Sequence, residues 1–352
     1  MAKSTFDSIA QFIGKYDKKL ISQTLNGLDF VPQVKVMRRA SLNGTLLPKM
    51  TVASGIRPLD LSVETRAGSH RAFSGRKLLV YEGMKIIEII PEEAYNTFMS
   101  DMVEPAAADI PFAQWVWEQE FKKIGAEINN AIYLSSYEGD AAIFDAGTDY
   151  PLGAYVKFGD DLDIYVSIAN PATGESPLTH PAKWSKVNES VISTGWGKII
   201  ADEITATNIT PVATGAITNA NALTKFEQMY NAMTVAHRAL GGTFKCSYAV
   251  YRAYIEHERT LYGPTATPGL GVGVKSIYGD PKWTIEPCTW MGTSGRVIAT
   301  PKDNLVFGTN IESDMTKVGK VIETLHGYKS VVKWIQGCEI SDLEVLYVND
   351  QA

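Results

Sequence analysis

The chain has 352 residues, 45% of them hydrophobic and 20% charged, with a formal net charge of −6 at pH 7. That is ordinary globular composition, with length for a large core or two to three modules. No apolar run is long enough to cross a bilayer. The opening MAKSTFDSIAQFIGKYDKK lacks the unbroken apolar stretch of a signal peptide, so synthesis in the cytoplasm is expected. Weak acidity argues against a protein that grips DNA tightly, which needs a basic face.

Residues 4–22 are expected to form an amphipathic helix, because Phe6, Ile9, Ile13, Tyr16 and Leu20 recur at three- and four-residue steps. Ser4 and Asp7 suit its start. Such a helix cannot bury its stripe alone and must dock on its own body or on a neighbour. Residues 33–83 read differently. Turn residues (Gly44, Pro48, Gly55, Pro58, Gly68, Gly75) and scattered basic side chains (Lys35, Arg38, Arg39, Arg66, Arg71, Arg76, Lys77) lie between two strand-like pieces, 33–38 and 76–82. The reading is a long two-stranded ribbon with an open tip. Ribbons of this kind are marginal in water unless they pack on a partner.

A long helix is predicted over 109–135. Asp109 sits at the cap, Pro111 lies in the first turn, and Trp117, Phe121, Ile124, Ile128 and Ala131 form one face. About 25 residues make a rod of roughly 37 Å. Trp115 and Trp117 read as packing anchors. Residues 150–188, rich in aromatics, Pro and Gly, read as a small β module of short strands. One helix is expected over 223–240, with Leu223, Phe226, Tyr230, Met233, His237 and Leu240 on its stripe and Gly241-Gly242 ending it. His237 on that stripe reads as a satisfied core histidine. A β segment near Phe244, a helix over 248–262 stopped by Gly263-Pro264, and strands near 283–291, 296–300 and 305–308 follow. Pro301 to Asn304 makes a turn, and residues 317–349 are mostly β, with turns at Gly327 and Ser341-Asp342. The class is α+β.

Catalytic signatures are missing from the sequence. PGLGVGVKS (268–276) has the parts of a phosphate loop, but Val274 replaces the glycine needed before the lysine, and Gly279, Asp280 and Pro281 forbid the helix that should follow. Gly292-Thr293-Ser294-Gly295 misses the spacing of a nucleophile elbow. Asp160, Asp161 and Asp163 lack the further ligands of a calcium loop and read as a solvated turn. Glu92-Glu93 and the pair Glu118 and Glu120 carry nothing that marks an acid and a base. Cys246, Cys288 and Cys338 read as reduced, buried thiols. His70, His180, His237, His257 and His326 offer no zinc spacing. The expectation is no enzyme, no metal and no cofactor; an activity dependent on His237 or Cys246 would be the hydrolase alternative.

The order of elements and some local wording resemble the major capsid proteins of tailed phages, of the Hong Kong 97 type. The segment 298–310, IATPKDNLVFGTN, is similar to the "tpkdNLvfGtd" wording of many such proteins, and 247–263, SYAVYRAYIEHERTLYG, is similar to the axial-domain helix of phages infecting Bacteroidota, the crAss-like ones among them. The resemblance covers essentially the whole chain. It implies an N-terminal arm (1–32), an extended loop (33–83), a peripheral domain (84–149, 189–204 and 311–352) with spine helix 109–135, an inserted β module (150–188) and an axial domain (205–310). The implied function is a structural one: self-assembly into pentamers and hexamers of an icosahedral shell around double-stranded DNA. The implied partners are a separate scaffolding protein if the gene starts at Met1, a portal and decoration proteins, with DNA contacted non-specifically and no membrane. The implied location is the virion, after synthesis in the bacterial cytoplasm.

Two finer readings accompany it. Gly153, Val156, Tyr165, Pro177 and Trp184 resemble a short chitin-binding type of carbohydrate-binding module, which makes Tyr165 and Trp184 candidate sugar-stacking residues. A carbohydrate-binding or adhesion protein built on 150–188 is the alternative function; a surface decoration with Trp184 in its mini-core is the plainer reading of that segment. Some capsid relatives crosslink a loop lysine to a neighbour's asparagine. Lys49 with Asn304 or Asn310 has the residue types, but no motif singles them out.

Overall fold

The structure, a computed structural model, describes residues 28–52, 71–90, 111–263, 275–277, 280–309, 317–318, 322–323 and 328–351. The helix expected over 4–22, the ribbon tip, Glu92-Glu93, Asp109, Asn310 and most of PGLGVGVKS lie outside these residues.

The first elements are β1 (Lys35–Met37), β2 (Thr45–Val52), β3 (Arg71–Leu78), β4 (Tyr81–Ile89) and the long helix α1 (Pro111–Ala131). Next come β5 (Tyr155–Phe158), β6 (Asp163–Ser167), β7 (Trp184–Lys186) and α2 (Trp196–Thr205). Then follow α3 (Ala222–Ala232), α4 (Val235–Leu240), β8 (Gly242–Cys246), α5 (Tyr248–Tyr262), β9 (Lys275–Ile277), β10 (Asp280–Pro287), β11 (Val297–Thr300) and β12 (Leu305–Thr309). The chain closes with β13 (Lys317–Val318), β14 (Ile322–Glu323), β15 (Tyr328–Ile340) and β16 (Tyr347–Val348).

The long strand β15 organises the larger sheet. Along one edge it pairs antiparallel with β4, and along the other with β12, β13 and β14. Here α1 buries the face its sequence spacing indicated: Trp117, Phe121, Ile124 and Ile128 join Ile87 of β4 and Val332 of β15 in one core. Phe30 enters the same core edge-on to Trp196 and Phe307. A second core lies on a five-stranded sheet ordered β16-β11-β8-β10-β9, where β8 and β10 are parallel and the helix between them is α5. Phe226 and Met229 of α3 meet Val250, Ala253 and Tyr254 of α5 there. The helix expected over 248–262 has those bounds.

Four expectations need correction. Residues 33–38 do not flank the ribbon: β1 runs parallel to β12 in the large sheet, where Val34 and Val36 face the core. The stretch 76–82 is not one strand. It breaks between β3 and β4 because Leu78 and Val80 cross the sheet over the paired glycines Gly308 and Gly337, where any Cβ would collide with them. The helix expected over 223–240 is two helices. Met233 turns extended, Thr234 caps α4 by accepting from the His237 N–H at 3.3 Å, and the Arg238 guanidinium donates to the Met233 and Asn231 carbonyls at 3.1 and 2.7 Å. The periodic stripe therefore ends at Met233, and Leu240 is exposed. The strand expected near 283–291 also stops early, at Pro287, and residues 289–291 form a tight turn that buries Trp290.

Candidate functional site

Among the described residues, the ribbon gathers several exposed apolar side chains on one face. Strands β2 and β3 pair antiparallel from Thr45 opposite Leu78 to Val52 opposite Arg71. Directly opposed residues share a face. One face carries Thr45, Leu47, Lys49, Arg76 and Leu78 and turns to the body. Leu47 and Leu78 pack there with Ala40, Val80, Val306 and Ile335. Arg76 clamps this root. Its Nη1 lies 2.6 Å from Glu203 of α2, and its Nη2 and Nε reach one oxygen of Glu339 in β15 at 2.9 and 3.0 Å. Burial is the largest influence on Glu339 and lifts its carboxyl above the usual range in spite of Arg76. Burial also opposes ionisation of Glu203, but bonds from Asn208 and Arg76 outweigh it and hold that carboxyl below the usual range. Lys49 completes the root, 2.8 Å from Asp342 and 2.9 Å from Glu344.

The opposite face carries Leu46, Pro48, Met50 and Val52 with Phe73 across from Met50. Leu46, Met50, Val52 and Phe73 are 61, 53, 61 and 76% exposed. Solvent-facing strands ordinarily alternate apolar-in and polar-out; here the outward set of β2 is apolar at every position. The signal was present as L-x-P-x-M-x-V over 46–52, but the interspersed charges and turn residues of the whole segment masked it.

The other candidates are occupied within the chain. Trp184 is 4% exposed, donates its indole N–H to the Glu175 carbonyl at 3.0 Å, and packs edge-on to Phe144 and Tyr150. Its ring is thus enclosed and presents no open face to a sugar. Tyr165 is half-buried on β6, edge-on to Phe158, so the two residues do not form a platform. Residues 142–144 bond to Lys157 and belong to the same small sheet as the module, and its Phe144 fills that core. His237 is half-buried rather than core, with Nδ1 2.6 Å from the Tyr347 hydroxyl. His257 is the buried histidine: its Nδ1 accepts the Leu223 N–H at 3.0 Å, at the start of α3. Its place on the inner face of α5 with Val250, Ala253 and Tyr254 was readable from their spacing. Asn304 is buried, its amide given to Thr300 and the Asp342 carbonyl, so together with Lys49 it serves the chain's own architecture.

Lys275 and Ser276 lie in β9, and Lys275 pairs with Glu258, which is not the start of a helix beneath a phosphate loop. Ser294 holds the Ser247 hydroxyl with its carbonyl. Asp163 is bonded by Lys186 and Asn188, and Glu120 pairs with Lys85. The three cysteines are free and buried. Burial pushes the Cys288 thiol up to about 12 and lifts Cys246 and Cys338 well above the thiol range. Among the described residues no group of His, Cys, Asp and Glu is arranged to hold a metal ion.

This architecture has solved counterparts. A chain of the satellite phage P4 procapsid, in a structure that includes the size determination (Sid) protein, matches with a TM-score of 0.54 at 9% identity, covering 95% of this chain and 90% of that chain. Chains from the capsid of Myoviridae phage XM1 and from Gordonia phage Cozz give 0.46 at 10% identity (92% and 91% covered) and 0.47 at 11% identity (92% and 86%). The fold is that of tailed-phage capsid proteins, the mixed α+β Hong Kong 97 type. No protein-family model matches the chain, and no curated protein matches it.

Proposed function

We propose that this chain is the major capsid protein of a tailed double-stranded DNA phage, a structural protein rather than an enzyme, that self-assembles through pentamers and hexamers into the icosahedral shell of the virion. The observation that carries the reading is the ribbon. Its root is clamped to the chain's own body by Arg76 and Lys49, while its far face offers Leu46, Met50, Val52 and Phe73 to solvent. Exposed apolar surface of that extent marks an interaction site. Closed assemblies of identical copies cover it once per subunit. The capsid fold supports the same conclusion.

In this reading 1–32 is the arm, 33–83 the loop laid over a neighbour, and 205–310 the axial domain at the capsomer centre. The peripheral domain comprises 84–149, 189–204 and 311–352, with 150–188 as a surface insertion. A scaffolding protein, a portal and decoration proteins complete the head, in the cytoplasm of a bacterial host; the helix 247–263 supports a phage of Bacteroidota. Electron microscopy of the purified full-length chain, alone and with the neighbouring head genes, tests this: capsomers or closed shells are expected. A chain that stays monomeric in every combination and concentration would end the proposal.

A further inference from the structure

Residues 33–83 carry nine Lys and Arg against three Asp and Glu. The inserted module has the opposite balance. Its neck is closed by the Ser136 N–H on the Ser190 carbonyl at 3.0 Å and the Glu138 N–H on the Val191 carbonyl at 3.1 Å. Residues 138–189 between them carry nine Asp and Glu against three Lys. All three lysines are engaged inside the module: Lys157 donates to the Gly139 carbonyl at 2.6 Å, Lys183 pairs with Glu175, and Lys186 lies 2.5 Å from Asp163. Asp140, Asp145, Asp149, Asp160, Asp161 and Glu189 are exposed, and none of them is in an ion pair among the described residues.

The β5–β6 hairpin joins part of this charge to apolar surface. Its strands pair antiparallel from Tyr155 opposite Val166 to Phe158 opposite Asp163, and the chain turns over Gly159 to Leu162. The Leu162 N–H donates to the Gly159 carbonyl at 3.1 Å, and Asp163 is held by Lys186 and Asn188, so the tip is a fixed knob. Leu162 is 51% exposed at a φ of +53°. That left-handed backbone costs a non-glycine residue roughly 1–2 kcal/mol. Neither the strain nor the exposed apolar side chain helps the single chain to fold. Together they hold a leucine outward beside the Asp160 and Asp161 carboxylates.

The outer face of the ribbon is the complement. It sets Lys77 opposite Leu46 and Phe73 opposite Met50. Lys77 is exposed and in no ion pair among the described residues. Leu46, Met50 and Phe73 stay exposed, so the chain's own module does not cover them. We propose that the β5–β6 tip of one copy docks on the ribbon face of a second copy, with Leu162 against Leu46, Met50 and Phe73 and with Asp160 and Asp161 facing Lys77. Opposite charge steers the encounter and fixes the register, while the apolar groups supply the buried surface. The contact rests on the reading that copies associate through the ribbon, and it names what covers that face. Tip to ribbon is a head-to-tail contact in which each subunit gives once and receives once, the kind that closes into rings.

The test is sedimentation of the full-length chain over a concentration series at low and at high salt, with electron microscopy of the products. Wild-type association is expected to weaken as salt rises. Lys77→Glu, and separately Asp160→Lys with Asp161→Lys, are each expected to weaken association at least about five-fold at low salt. Combined in one chain, they are expected to recover most of it. Leu162→Asn suits the left-handed backbone, so it is expected to melt no lower than the wild type and yet to associate at least about three-fold more weakly. Chains carrying only Leu162→Cys, mixed with chains carrying only Met50→Cys and oxidised with diamide, are expected to give a disulfide-linked pair that neither gives alone, since the native thiols are buried. Shells that form equally well in both charge variants and yield no mixed disulfide overturn the docking and leave the shell reading standing. Charge variants that fail to rescue each other also overturn it. Charge rescue with a mixed disulfide but without capsomers or shells upholds the docking and ends the shell reading. A chain that stays monomeric, alone and with neighbouring head proteins, overturns both.

Discussion

Arg76→Ala removes the cation that joins the ribbon root to α2 and β15, and its consequence can be worked from the geometry. Arg76, Glu203 and Glu339 side chains are 26, 15 and 13% exposed, so the cluster is mostly desolvated. Deleting one partner of a fully buried ion pair costs about 3–5 kcal/mol. Partial exposure of the arginine lowers that to about 2–3 kcal/mol. With an unfolding entropy of about 2.1 cal/mol/K per residue, 352 residues give about 0.74 kcal/mol/K, so the melting temperature should fall by about 3–4 °C at pH 7. The deficit depends on pH in a determined direction. Glu203 is held below its usual range in the wild type, so its contribution is present at neutral pH and is lost as pH falls through its folded value. In the variant both carboxylates lie buried without their cation, which raises them, so the variant is least penalised in acid, where they are protonated, and loses stability as pH rises. Calorimetry of both proteins between pH 7 and pH 4 should show the gap close. Arg76→Lys, which keeps the charge but not the fork, should fall between. A variant within about 1 °C of the wild type at pH 7, or a gap that does not change with pH, refutes the clamp.

The remaining expectations are simpler. Phe73→Asp and Leu46→Asp should leave subunit stability within about 0.5 kcal/mol, because both side chains are exposed, yet abolish capsomers and shells by sedimentation. Trp184→Ala should cost about 3–5 kcal/mol locally, opening residues 141–188 to proteolysis and rapid amide exchange while α1 stays protected. Native protein should resist thiol reagents at pH 8, since all three thiols are buried and raised, with Cys288 at about 12; three equivalents should react only on unfolding. Prompt labelling of the native protein would show an opening that the packing does not contain.

What the sequence could tell depended on how local the cause was. The buried face of α1 was legible because a helix against a core imposes its own spacing, and Trp117, Phe121, Ile124 and Ile128 obey it. The end of α5 followed from Gly263-Pro264, and Gly263 has the positive φ that ends the helix. The break at Met233 was not legible. His237 and Leu240 keep the helical step, and the carbonyls freed by the break are taken by a guanidinium whose aim depends on the fold. Register was equally hidden: Gly308 and Gly337 look like ordinary strand glycines until they are paired across two strands with Leu78 and Val80 above them. Arg76 reads as one of several scattered basic residues, because Glu339 is 263 positions away. The candidate sugar platform failed for a related reason. Trp184 and Tyr165 have the right residue types, but Phe144 and Tyr150 close around the indole.

The division of labour within the ribbon follows from which interactions each half uses. Its root is held by charged groups and by the small Leu47 and Leu78 cluster, interactions complete within one chain. On its outer face the β2 side chains are apolar and mostly solvated, with Lys77 and Arg71 opposite them on β3, so that face adds little to folding and leaves apolar surface open for association. Full burial of a Leu, Met, Val or Phe side chain is worth about 1.5–3 kcal/mol. Leu46, Met50, Val52 and Phe73 are already about one quarter to one half covered, so the remainder offers at most roughly 4–8 kcal/mol before ordering costs are subtracted. That alone makes a weak contact. In the proposed shell every subunit would repeat it, and a root that does not have to fold on binding would leave each single contact reversible.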